Sequence, residues 1–68
     1  MTVKELIEEL QRFPSDMRVI RNGYEGGYSD VRSISELDIV LDVNIGCRYL
    51  GNHDEADQEK DETAVLIR

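Results

Sequence analysis

The residues best suited to act on another molecule form the run Gly23-Tyr24-Glu25-Gly26-Gly27-Tyr28-Ser29-Asp30. Glycine permits positive φ and close backbone approach, and tyrosine offers a large apolar area with a polar tip at low entropy cost. Together they suit a loop that presents Tyr24, Glu25, Gly26, Gly27, Tyr28 and Asp30 to a partner. An equally simple reading is structural: the glycines shape a wide hairpin and the tyrosines pack over its open end. The run is not a phosphate loop, because no lysine follows at the required place and neither glycine-rich nucleotide pattern fits.

A second candidate is the acidic stretch 54–62, with Asp54, Glu55, Asp57, Glu59, Asp61 and Glu62 against one lysine, Lys60. Carboxylates suit calcium or magnesium, but the spacing that builds a helical calcium loop is missing. The stretch reads as solvated charge on a mobile loop, able to steer a basic partner or to imitate nucleic acid. Cys47 and His53 lack the further groups that a zinc site or a Cys/His catalytic pair requires, so Cys47 is expected as a small buried hydrophobe and His53 as an exposed side chain. Glu5, Glu8 and Glu9 fall on the outer side of a helix and make no paired-carboxylate site. No metal or cofactor is implied, and the chain is read as a non-enzyme.

The elements that would position these residues follow from periodicity. Thr2 and Glu5 have capping-box spacing, and Val3, Leu6, Ile7, Leu10 and Phe13 form one helical stripe, so residues 2–13 are predicted as an amphipathic helix that Pro14 ends. Met17–Arg21 reads as a strand, Asn22-Gly23 as a turn, and Val31–Ile34 as a short strand. Alternation over Glu36–Asn44 puts Leu37, Ile39, Leu41 and Val43 on one face of a further strand. Thr63–Ile67 closes the sequence as an apolar strand. The fold class is α+β: one N-terminal amphipathic helix packed on a three- to four-stranded, mainly antiparallel sheet in the order α-β-β-β, all in a single domain spanning residues 1–68.

Sixty-eight residues with one cysteine and no disulfide leave a modest core, so pairing with a second copy is an option for added stability. The net charge of −7 makes the chain a poor partner for phosphate backbones. With no basic leader before the first helix, no apolar run of membrane-spanning length and an unpaired cysteine, a cytoplasmic protein is expected.

Thr2-Val3-Lys4-Glu5-Leu6-Ile7-Glu8-Glu9-Leu10, then Phe13-Pro14-Ser15-Asp16 and Val19, followed by Gly23-Tyr24-Glu25-Gly26-Gly27-Tyr28-Ser29-Asp30, resemble a group of small, uncharacterised proteins encoded by bacteria and their phages. The likeness covers residues 2–31 and implies a bacterial or phage source and a compact fold. It carries no functional residues across. Two functions stay open at this point, with a small-ligand or metal sensor built from the tyrosine loop and His53 as a third. One is an acidic protein-binding module of unknown partner, with a homodimer as an option. The other is a phage-type inhibitor of a nucleic-acid-handling or defence complex that uses its acidic surface in place of phosphates.

Overall fold

A computed structural model describes residues Met1–Arg68. The chain is α+β, with one N-terminal helix followed by strands in two antiparallel sheets. Backbone contacts divide it into two compact units, Met1–Arg32 with Arg68, and Ser33–Ile67.

The first unit opens with helix α1 (Val3–Leu10). The expected capping box is present: the Glu5 amide donates to Thr2 Oγ1 at 3.2 Å, and the Thr2 amide donates to Glu5 Oε1 at 2.9 Å. The Thr2 amide first and the Thr2 hydroxyl second hold the Glu5 carboxyl below its usual range. The helix stops three residues short of Phe13 because the amides of Arg12 and Phe13 turn to the carbonyls of Glu9 and Leu10, the tighter bonding of a fraying last turn. Leu6 is half-buried, while Val3, Ile7, Leu10 and Phe13 stay exposed. After the turn at Pro14–Met17, β1 (Ile20–Asn22) pairs with β2 (Tyr28–Asp30) as a hairpin. The strand expected at Met17–Arg21 thus begins later, since Pro14 and the Met17 amide, bonded to its carbonyl, spend those residues on a turn.

The second unit is a three-stranded sheet in the order β4-β3-β5, with β3 at Ile34–Val40, β4 at Asp54–Glu55 and β5 at Glu62–Ile67. Register puts Leu37 opposite Ala64 and Ile39 opposite Glu62, so Leu37, Ile39, Ala64 and Leu66 share one face, and all four are half-buried. The strand expected to reach Asn44 ends at Val40. Asp42 sits at φ 54, a left-handed conformation that extended pairing cannot accommodate. There the Leu41 amide donates to Asp61 Oδ2 at 2.8 Å and the Asp42 amide to His53 Nδ1 at 3.0 Å. The turn survives because side chains from elsewhere in the unit satisfy its amides.

Cys47 is exposed, because it lies among turns after β3, with its amide on the Asn44 carbonyl, and no strand covers it. The acidic stretch is not loop throughout, since its ends form β4 and the start of β5, and the short strand expected at Val31–Ile34 is replaced by β2 at Tyr28–Asp30. No side chain in either unit is fully buried.

On the face opposite Leu37, Thr63 Oγ1 donates to Asp38 Oδ1 at 2.6 Å, and Lys60 Nζ lies 3.3 Å from the same oxygen. The hydroxyl first and the ammonium second hold the Asp38 carboxyl below its ordinary range. A depressed folded-state value means that this contribution is present above the ordinary aspartate range and lost as pH falls through the folded value. Thr63→Val removes the larger cause and keeps strand propensity. It is expected to move the Asp38 titration, followed by NMR at its carboxyl carbon, back toward ordinary aspartate, and an unmoved titration would reject the hydroxyl as cause.

Candidate binding loop and acidic surface

The glycine-tyrosine run folds as the connection of the β1–β2 hairpin. The Gly23 amide donates to the Gly27 carbonyl at 3.0 Å and closes a loop in which Gly26 and Gly27 take φ of 134° and 62°. Gly26 therefore occupies a region essentially reserved for glycine. Gly23 is required for a different reason: a Cβ there would overlap the Gly26 carbonyl oxygen. Such a loop costs conformational entropy at every glycine, and its product is the placement of the tyrosines.

Tyr24 is 98% exposed and Tyr28 is 73% exposed. Neither packs over the open end of the hairpin as the structural reading required. Strand register puts Tyr28 opposite Asn22 and Asp30 opposite Ile20, so these four side chains share the exposed face of the hairpin, while Arg21 and Ser29 take the half-buried one. Asp30 is steadied by Arg18, 3.6 Å away, and Glu25 is exposed at the tip. The structure thus brings Tyr24, Glu25, Gly26, Gly27, Tyr28 and Asp30 together on one hairpin, with a large aromatic area in water.

One feature of this unit escaped the periodicity argument. Leu10, Phe13, Pro14, Met17 and Val19 line an apolar hollow of about 410 Å³ beside the helix end. Its signal was the cluster of large apolar residues around Pro14, which reads equally well as core.

The acidic surface belongs to the second unit, and the charge is sharply segregated. Residues 33–67 carry nine acids against Arg48 and Lys60, the whole net −7, whereas the other unit balances six acids with six basic residues. Several of these acids are anchored. Asp54 and Glu55 pair with Val40 and Ile39, Asp61 accepts the Leu41 amide, and Glu62 opens β5. Asn44 ties down the approach to β4, its amide nitrogen donating to the Gly51 carbonyl at 3.0 Å and reaching Asp54 Oδ2 at 3.5 Å. Asp57 and Glu59 stay exposed in the connection.

His53 Nδ1 lies 3.7 Å from Asp42 Oδ1, an ion-pair distance, yet it also accepts the Asp42 amide at 3.0 Å. His53, Leu37, Ile39, Ala64 and Leu66 line a hollow of about 360 Å³ on the apolar sheet face. No three His, Cys, Asp or Glu side chains are grouped to hold a metal ion, and no helix is long and apolar enough to cross a membrane. The chain matches no known protein family, no characterised protein and no solved structure.

Proposed function

We propose that this chain is a small, acidic, non-enzymatic protein-binding module that works in the cytoplasm and engages its partner through the Tyr24–Tyr28 loop. The observation that carries the reading is the exposure of both tyrosines on a loop that uses Gly23 for its close backbone approach and Gly26 and Gly27 for their positive φ. An aromatic side chain held in water gains most from association, since its apolar area is desolvated while its hydroxyl finds a partner in the interface.

The test is capture with the chain tagged at Met1, run beside the double variant Tyr24→Ala/Tyr28→Ala. Truncating two central aromatic anchors is expected to weaken binding by about thirtyfold or more. Stability should stay within about 0.5 kcal/mol, because neither ring is buried. A partner retained by the double variant would refute the loop as the binding site.

A second reading is favoured by the charge segregation. A unit with net −7, some of whose acids are fixed by strand pairing, has the makings of a phosphate mimic. In that role the chain inhibits a bacterial nucleic-acid-handling or defence complex. Neutralising the acidic stretch separates the two readings.

A further inference from the structure

β5 is the edge of its sheet, six residues long, and residues 63–67 carry no charge, proline or bulge. Such an edge is open to pairing with another strand. Which of its backbone groups are free follows from the other side of β3. The Ala56 amide donates to the Asp38 carbonyl at 2.9 Å, so Asp38 and Val40 turn their backbone groups toward β4. Those of Ser35, Leu37 and Ile39 then turn toward β5, in agreement with the Asp61 amide on the Ile39 carbonyl. Their register partners Leu66, Ala64 and Glu62 use their own groups within the sheet, which leaves the N–H and C=O of Thr63, Val65 and Ile67 along the outer edge.

We propose that β5 pairs antiparallel with β5 of a second copy, about a two-fold axis centred on Val65. This surface is separate from the tyrosine loop, and the proposal goes beyond the binding function without resting on it. In this register Val65 faces Val65 and Thr63 faces Ile67, so every outward-facing backbone group finds a partner. Centring the axis on Ala64 or Leu66 leaves part of the edge unpaired. Side chains select the same register. Ala64 falls opposite Leu66, small against large on the apolar face, and Glu62 falls opposite Arg68 of the second copy at both ends of the strand. The acidic unit thereby meets the basic terminal residue of the other chain. Assembly closes at two copies, because the remaining edge, β4, is two residues long and both are acids.

Sedimentation equilibrium and amide hydrogen exchange on the whole chain test this. The expected result is the mass of two chains, with the Thr63, Val65 and Ile67 amides protected as well as their inward-facing neighbours. Val65→Pro removes only an outward donor and is expected to give a monomer that keeps the Leu37–Ala64 cross-strand contact. Glu62→Arg or Arg68→Glu alone should raise the dimer dissociation constant about tenfold, and combining them should restore it. A monomer at the concentrations used for NMR would overturn the proposal. So would a dimer whose Thr63, Val65 and Ile67 amides exchange freely, or a double reversal no tighter than either single one. If Val65→Pro loses the β3–β5 contacts, the charge reversals decide the matter.

Discussion

Gly23→Ala is expected to open the β1–β2 hairpin and cost about 2 kcal/mol or more, a size reached when a substitution forces backbone strain. The added methyl would overlap the Gly26 carbonyl oxygen, a backbone atom that cannot swing aside as a side chain would. Relief requires Gly26 to move, and with it the Gly27 carbonyl that accepts the Gly23 amide. NMR should show loss of the Asn22–Tyr28 cross-strand contact and rapid exchange of the residue 23 amide. Gly51→Ala is the matched control. It too adds one methyl to a glycine, but into open space and with no positive φ to oppose it. That variant should be neutral or more stable by about 0.4–1 kcal/mol, through the unfolded chain alone. Equal effects at the two positions would refute the close approach at Gly23. Because the tyrosines are displayed by this loop, Gly23→Ala should also weaken partner binding although it removes neither ring.

The contrast between these glycines shows what was legible in the sequence. The capping box and the shared face of Leu37 and Ile39 were readable, because each depends on residues close together in the chain, whereas the helix ends at Leu10, short of the stop that Pro14 sets. The tyrosine loop was recognisable as a loop, but its burial was not. Whether Tyr24 packs or protrudes depends on the backbone path through Gly26 and Gly27, and glycine is the residue whose φ a sequence constrains least. The end of β3 was hidden for a related reason. Leu41 and Val43 continue the alternation, yet Asp42 adopts a positive φ because Asp61 and His53, far along the chain, supply acceptors for the turn. Part of the acidic stretch is likewise decided by partners distant in the chain. Six acids in nine residues suggest solvated coil, and only pairing with β3 places Asp54 and Glu55 in a strand. Cys47 was misplaced because an apolar residue beside Tyr49 and Leu50 reads as core when the turns around it are unknown.

Neutralising Asp54, Glu55, Asp57, Glu59 and Asp61 to Asn or Gln is expected to slow association with a basic partner by about ten- to a thousandfold at low salt. Glu62 is left untouched so that pairing of β5 with a second copy is not altered at the same time. The five changes take the net charge from −7 to −2 and remove most of the field of the second unit. Asn at position 61 keeps a carbonyl oxygen for the Leu41 amide, and Asn at 54 keeps an acceptor beside Asn44, so the anchoring bonds persist. The kinetic pattern separates the two functional readings. If the tyrosine loop holds the complex and the acids only steer, neutralisation lowers the association rate and flattens its salt dependence, while the dissociation rate barely moves. If the acids stand in for phosphates, neutralisation raises the dissociation rate as well and abolishes inhibition of the nucleic-acid-handling target. Tyr24→Ala/Tyr28→Ala should produce the complementary pattern under the first reading, with faster dissociation and an unchanged salt slope. An association rate indifferent to both charge and salt would remove the acidic surface from either mechanism.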